Sequence, residues 1–196
     1  MRPRDENKIR AIKEKAIEMV ANEGLDNFGI NRLAKAAGVS PATIYIYYKD
    51  KDDLLTSISQ EEGLKMTQTT LDGFDPTMSF REGLWIQWKN RSKYMLNNHI
   101  GTAFFEQLRS SAYKEKMVKT ISAEFQKAMG SFMENAVKNG EVNKMPLEVY
   151  WSIAFSPLYS LIRFHNEGQS LGGKKFSFSQ KLMKETFEYV MKALSK

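Results

Sequence analysis

Apolar residues recur at helical spacing along most of this chain. The first segment, from about Asp5 to Asn22, places its apolar positions on one face of a helix: Ile9, Ile12, Ala16, Ile17 and Val20. Similar stripes predict further helices over residues 30–37, 41–47, 51–70, 76–98, 100–112, 113–139, 146–165 and 178–194. No segment shows the alternation of apolar and polar residues that is typical of a strand. The pattern therefore predicts an all-α fold of about nine helices.

Turn-forming residues divide the predicted helices into two groups. The clearest break is LDGFDPT at residues 71–77, and the glycine-rich loop GQSLGGKKFS separates the last two helices. Pro157 lies inside the predicted 146–165 helix and should bend it, because a proline removes one backbone donor. We predict a small domain over residues 1–50 and a larger domain over residues 51–196, linked by the 51–70 helix.

The stretch INRLAKAAGVSPATIYIYYKDKDDLL, at residues 30–55, has the pattern of a helix-turn-helix. Gly38 supplies the backbone freedom for a sharp turn, and Ser40 is placed to cap the helix that follows. Pro41 suits the first position of that helix, where the missing N–H has no partner in any case. Such a unit places its second helix, here Pro41 to Tyr47, in the major groove of DNA.

A longer spacing pattern around this unit resembles the DNA-binding domain of the TetR family of bacterial transcriptional regulators (TetR/AcrR type). The matching positions are Leu33, Ala34, Ala37, Gly38, Val39, Ser40, Thr43, Ile44, Tyr45, Tyr47, Tyr48, Lys51 and Leu54. The resemblance implies a homodimeric regulator, and specifically a repressor that leaves its operator when a small effector binds. It also implies double-stranded DNA as a partner.

The predicted recognition helix carries few groups for reading bases. Arg, Lys, Asn and Gln are the common readers of guanine and adenine, and none lies between Ser40 and Tyr48. Base contacts would then come from hydroxyls and from apolar contact with thymine methyl groups, which predicts an operator containing A·T pairs. The candidate base-reading residues are Ser40, Pro41, Ala42, Thr43, Tyr45 and Ile46.

The resemblance also implies contacts with the phosphate backbone, by Tyr45, Tyr47 and Lys51. Lys49 fits either a phosphate contact or a solvated turn. The family usually has Thr or Ser where this chain has Gly29, so one expected phosphate contact is in doubt, and Asn31 is the nearest polar substitute. Tyr48 occupies the buried aromatic position of the family.

Most of the aromatic residues lie in the predicted C-terminal domain, including all three Trp. Ligand sites are mostly apolar with a few polar anchors, and the resemblance implies a pocket for a small apolar or amphipathic effector. The candidate lining residues are Trp85, Trp88, Phe104, Phe105, Phe125, Met129, Trp151, Phe155 and Tyr159. Each of these side chains could equally pack in an ordinary core.

The last two predicted helices fit a subunit interface. The 146–165 helix is apolar nearly all round, which is usual for a helix that is buried on two faces. In the family the last two helices form a four-helix interface with the partner, which makes the operator palindromic. The candidate interface residues are Leu158, Ile162, Phe187, Val190 and Met191.

Composition and charge add limits to this interpretation. The formal charge is +6, and residues 1–49 contribute +3 from nine Lys and Arg against six Asp and Glu. The chain has no Cys and two His, His99 and His165, so neither a metal site nor a cofactor is expected. Without a signal peptide or an apolar run of membrane length, we expect a cytoplasmic protein with no membrane partner.

Two other classes of function compete with an effector-responsive regulator. The C-terminal domain could dock a protein partner in place of a small molecule, and a solid core at the expected pocket would favour that alternative. An enzyme is not expected, because no nucleophile–base pair and no metal-ligand spacing is present.

Overall fold

The fold was analysed in a computed structural model of the chain, which describes residues 5–111, 113 and 123–196. Ten helices account for most of the described residues, and no strand occurs among them, which confirms the all-α prediction. They are α1 (Glu6–Glu23), α2 (Ile30–Ala36), α3 (Pro41–Tyr47), α4 (Lys51–Thr70), α5 (Phe80–Asn97), α6 (His99–Arg109), α7 (Ala123–Lys138), α8 (Leu147–Ala154), α9 (Ser156–Glu167) and α10 (Gln180–Leu194). None of these helices is long and apolar enough to cross a membrane.

The first of two compact units contains residues 5–65 and the described part of 98–122. Its core joins the apolar faces of α1, α2 and α3 to the beginning of α4 and to α6. Fully buried side chains at its centre include Ile12, Leu33, Ile44, Leu54 and Phe104. The helix-turn-helix thus stands on a core to which α6, far away in the sequence, also contributes.

The second unit contains residues 66–97 and 123–196. Its core is rich in aromatic rings, and Trp88 of α5 is completely buried there. The indole N–H of Trp88 donates a hydrogen bond of 2.7 Å to the carbonyl of Ala154, at the end of α8. This bond satisfies both a buried donor and a carbonyl at a helix end, where no later N–H within the helix is available.

The predicted helix over residues 146–165 is two helices. The backbone of Phe155 leaves the helical conformation, with φ −123° and ψ −27°, and α9 begins at Ser156 with Pro157 in its first turn. A proline is tolerated there because N–H groups in the first turn of a helix have no acceptor within the helix, so the N–H that proline lacks is not missed. The bend predicted at Pro157 is therefore a complete break between α8 and α9. The beginning of the predicted 113–139 helix lies outside the described residues, and α7 is its described part.

Candidate DNA-binding and effector sites

The turn between α2 and α3 is built as the sequence predicts. Gly38 has φ +67°, a conformation that favours glycine, and the N–H of Val39 closes the turn on the carbonyl of Ala34 at 3.0 Å. The Ser40 hydroxyl accepts the N–H of Thr43 at 3.1 Å, and Pro41 is the first residue of α3. The predicted cap of α3 is confirmed.

The outward face of α3 is small and mostly apolar. Ser40, Pro41 and Ala42 are exposed, and the two largest exposed side chains are Tyr45 at 55% and Ile46 at 73%. The Thr43 hydroxyl lies 2.9 Å from that of Ser40, so these two polar groups of the face are hydrogen-bonded to each other. The face therefore offers hydroxyls and apolar groups to a ligand, with no charged side chain on α3 itself.

The inward face of α3 fixes its orientation. Ile44 is completely buried, and Tyr48, just after the helix, is 6% exposed, so both belong to the core of the first unit. Tyr47 is partly buried, and its hydroxyl accepts a hydrogen bond of 3.4 Å from the backbone N–H of Asp5. Tyr47 thus ties α3 to the beginning of α1, which leaves Tyr45 as the more exposed of the two predicted phosphate-contacting tyrosines.

Lys51 is directed toward its own domain. Its ammonium group donates to the carbonyls of Leu25 and Phe28, at 3.3 and 2.9 Å, and lies 5.4 Å from the centre of the Phe28 ring. An ammonium group has three N–H donors, so one remains for a phosphate oxygen. Its main observed contact is to the loop that precedes α2.

Two exposed cations flank this surface. Lys49 is exposed, and its backbone N–H donates to the Asp53 carboxylate at 2.9 Å. Lys35, in the last turn of α2, is also exposed, and the sequence analysis did not assign it a role. Asn31 is exposed near the beginning of α2, where Gly29 provides no side-chain cap. The sequence signal for Lys35 was its place on the polar face of α2, one turn before Gly38.

The nine residues predicted to line a pocket do not form one group. Phe104 and Phe105 are on α6 in the first unit, where Phe104 is fully buried in the core. The apolar face of α6 packs on α1. The sequence shows that α6 has an apolar face and does not show which helix covers it. The other seven belong to the second unit: Trp85, Trp88, Phe125, Met129, Trp151, Phe155 and Tyr159.

Three buried polar side chains accompany the aromatic rings of the second unit, and none of them was predicted as a site residue from the sequence. Gln87 and Arg91 lie one turn apart on α5, and Tyr150 is on α8; their exposed fractions are 0, 3 and 3%. One nitrogen of Arg91, Nη1, donates to the Tyr159 hydroxyl at 2.8 Å. Burial raises the pKa of Tyr150, and the charge of Arg91 opposes that rise. The signal in the sequence was a glutamine and an arginine four residues apart on the face that carries Trp88.

The predicted interface residues are buried within the chain itself. Leu158, Ile162, Phe187, Val190 and Met191 are 0 to 6% exposed and belong to the core of the second unit. The apolar residues on both faces of the 146–165 segment suggested an outer partner, but α5 and α10 of the same chain pack on that segment. On α10 the exposed large side chain is Tyr189, at 71%.

The two histidines have ordinary surroundings. His165 accepts the backbone N–H of Phe178 at 3.3 Å through Nδ1, and His99 is an exposed residue at the beginning of α6. Among the described residues, no group of three His, Asp or Glu side chains could hold a metal ion.

Comparison with known proteins places this architecture among known regulators. A family model described as bacterial regulatory proteins, tetR family, matches residues 12–58, which span most of α1, all of α2 and α3 and the beginning of α4. An uncharacterised helix-turn-helix-type transcriptional regulator of Haemophilus influenzae is 35% identical over 80 residues, which cover 41% of this chain and 43% of that protein. The chain thus matches less than half the length of this curated relative.

Two longer alignments cover the second unit as well. A fatty acid metabolism regulator protein of Bacillus subtilis is 22% identical over 140 residues, which cover 70% of this chain and 72% of that protein. The crystal structure of a TetR family transcription regulator from Marinobacter aquaeolei superposes with a TM-score of 0.76 at 27% identity, and it covers all of both chains. The matched helix-turn-helix and the shared fold agree: residues 12–58 match the tetR family of bacterial regulatory proteins, and the chain as a whole has the fold of a TetR family regulator.

Proposed function

We propose that this protein is a DNA-binding transcriptional repressor that leaves a palindromic operator when a small apolar or amphipathic effector binds to its second unit. The observation that carries the proposal is α3, whose outward face is exposed while Ile44 and Tyr48 anchor it in a core. A helix presented in this way can enter the major groove without rearrangement. Lys35, Lys49 and the remaining donor of Lys51 supply phosphate contacts beside it.

Helix α4 provides a route for the effector to act on DNA binding. Leu54, Leu55 and Ile58, near its beginning, are buried in the core of the first unit, whereas Thr70, its last residue, belongs to the second. A shift of α4 would therefore change the position of the helix-turn-helix. An effector that prefers the released conformation a hundredfold contributes about 2.7 kcal/mol to release.

The chemical character of the effector is supported by the aromatic core and by one relative. The rings around Phe155 favour an apolar ligand. The similar Bacillus subtilis protein is named as a regulator of fatty acid metabolism. We infer that the effector of the present chain is a metabolite with an aliphatic or aromatic body.

The repressor would act as a homodimer in which the outward faces of α9 and α10 meet those of the partner. Tyr189 is exposed on α10, so Tyr189→Asp should weaken the dimer by placing a charge in the interface. Leu171→Asp is the matched control, because Leu171 is 89% exposed in a loop outside both helices. Light scattering on both variants tests the assignment, and a dimer equally affected by both substitutions would contradict it.

Operator binding is the direct test of the proposed function. Selection from a random DNA library should recover a palindrome, and fluorescence anisotropy should show a dimer bound to it. Candidate effectors are then titrated into the complex, and release of the DNA is expected. If effectors bind the protein and operator affinity stays unchanged, the induction step is wrong, and docking of a protein partner becomes the better hypothesis.

A further inference from the structure

The second unit contains a group of buried polar atoms that have no hydrogen-bond partner among the described residues. They are both polar atoms of the Gln87 side-chain amide, Nε and Nη2 of Arg91, and the Tyr150 hydroxyl. A buried polar group without a partner destabilises the folded state, and more so when it is charged. Five such atoms lie on three residues of one core, and a polar ligand bound there would supply the missing hydrogen-bond partners.

The two free nitrogens of Arg91 are on the same edge of the guanidinium group. Nε and Nη2 present parallel N–H donors, which is the geometry that binds both oxygens of a carboxylate. The remaining nitrogen, Nη1, is already engaged by the Tyr159 hydroxyl at 2.8 Å, which fixes the plane of the group. No salt bridge of Arg91 with an acidic side chain occurs among the described residues, and Arg91 is the one buried charged residue among them.

Aromatic rings surround this cation. The guanidinium carbon lies 4.4 Å from the ring centre of Phe155, 5.1 Å from that of Trp151 and 5.9 Å from that of Phe125. Cation–π contacts of this kind stabilise a desolvated arginine, and they leave its in-plane N–H donors unused. The rings also provide apolar surface beside a single charged group.

We propose that Arg91 is the anchor for the carboxylate of an amphipathic effector, with the apolar chain of that effector among the surrounding aromatic rings. The carboxylate would accept from Nε and Nη2 of Arg91, while the Gln87 amide and the Tyr150 hydroxyl provide neighbouring donors. A monocarboxylate fits better than a phosphate monoester, because one arginine balances one negative charge, whereas a phosphate monoester carries nearly two. The proposal rests on the proposed function and names the class of its effector.

A series of ligands with one chain length tests the chemistry of the head group. Decanoate, decanol, decylamine and decyl phosphate are titrated into the full-length protein without DNA, by calorimetry and by tryptophan fluorescence. All three Trp are in the second unit, so the fluorescence reports on this region. Decanoate should bind at least about tenfold more tightly than decanol, and decylamine should bind most weakly.

Two substitutions of Arg91 separate charge from shape. Arg91→Met keeps an unbranched side chain and should lower decanoate affinity about thirtyfold or more, with little change for decanol. Arg91→Lys should keep part of the preference, because an ammonium group retains the charge and loses the paired donors. Arg163→Met is the matched control, since Arg163 is an exposed arginine on α9, and it should bind decanoate as the wild type does.

Three results with the wild type would overturn the proposal. They are equal affinity for decanoate and decanol, tighter binding of decyl phosphate than of decanoate, and no binding of any ligand in the series. Full decanoate affinity in Arg91→Met would do so as well. If Arg91→Met does not fold, as judged by circular dichroism, the comparison of ligands on the wild type remains decisive. Because decanoate binding is measured without DNA, the test separates this proposal from the proposed function. If decanoate binds through Arg91 and the operator is not released, only the proposed induction is wrong. If the protein binds its operator and does not bind carboxylates, only the proposed Arg91 site is wrong.

Discussion

At the scale of single residues, several side chains near the DNA-binding surface stabilise their own domain as well. Lys51 donates to two carbonyls of the loop before α2, and Tyr47 accepts from the backbone at the beginning of α1. The Ser40 hydroxyl caps α3 and also lies within hydrogen-bond distance of Thr43. A substitution at these positions therefore changes stability and DNA binding together, and the two effects have to be measured separately.

Lys51→Met should lower both stability and DNA affinity. The substitution removes two hydrogen bonds from a charged donor, so we expect the free energy of unfolding to fall by about 1–2 kcal/mol, measured by urea denaturation. Affinity for operator and random DNA should fall together, and the slope of affinity against salt should decrease by about one unit. Lys49→Met is the control for stability alone, because Lys49 is exposed and its backbone N–H, not its ammonium group, makes the bond to Asp53. It should lower DNA affinity, by loss of its proposed phosphate contact, and leave the free energy of unfolding unchanged. Unchanged stability in Lys51→Met would show that the loop contacts contribute little.

Thr43→Val should reduce specificity without changing general affinity. The substitution keeps the shape of the side chain and removes the hydroxyl that lies beside Ser40. We expect operator affinity to fall by about 1–3 kcal/mol while affinity for random DNA stays the same. Thr43→Ser restores the hydroxyl and should recover most of the preference. Anisotropy titrations with both DNAs check this, and an equal loss on both would assign Thr43 to the phosphate backbone.

At the scale of helices, the sequence predicts best where local chemistry marks a boundary. The beginning of α3 follows from Ser40, whose side chain accepts the N–H group of Thr43, and Asp50 caps the beginning of α4 in the same way through the N–H group of Asp53. The break between α8 and α9 was predicted only as a bend, because a proline in a helix can give either result. The position of α6 could not be predicted, because an amphipathic helix must pack its apolar face on another element and the sequence does not show which one.

Helix packing also decides the effect of glycine substitutions, with opposite signs at two positions. A Cβ atom at Gly83 of α5 would overlap the Phe132 ring of α7, so Gly83→Ala should destabilise the protein by about 1–3 kcal/mol. Gly130 of α7 has no atom within 4 Å of such a Cβ, and Gly130→Ala should stabilise by about 0.5–1 kcal/mol. Thermal unfolding of both variants compares them directly. A stabilising Gly83→Ala would contradict the close contact between α5 and α7.

At the scale of the whole molecule, the candidate effector site and the end of α4 are connected through one helix. Arg91 of α5 belongs to the proposed carboxylate site, and its neighbour Asn90 donates through its side-chain amide to the carbonyls of Thr70 and Asp72, at 3.2 and 2.7 Å. Helix α4 ends at Thr70 and begins in the first unit. Sequence patterns predicted the helix-turn-helix and did not predict this connection, because it depends on side-chain contacts between segments that are separate in the sequence.

Asn90→Ala should therefore weaken the coupling between effector and operator more than it changes either affinity alone. The substitution removes two hydrogen bonds that hold the end of α4 to α5, so a change at Arg91 would move α4 less. We expect the coupling free energy to fall by about 0.5–2 kcal/mol, measured as the difference in operator affinity with and without saturating decanoate. Asn97→Ala, an exposed position at the end of α5, is the control and should keep full coupling. Decanoate binding to Asn90→Ala is measured separately by calorimetry and should match the wild type. If coupling survives intact in Asn90→Ala, the signal reaches α4 by contacts other than this amide.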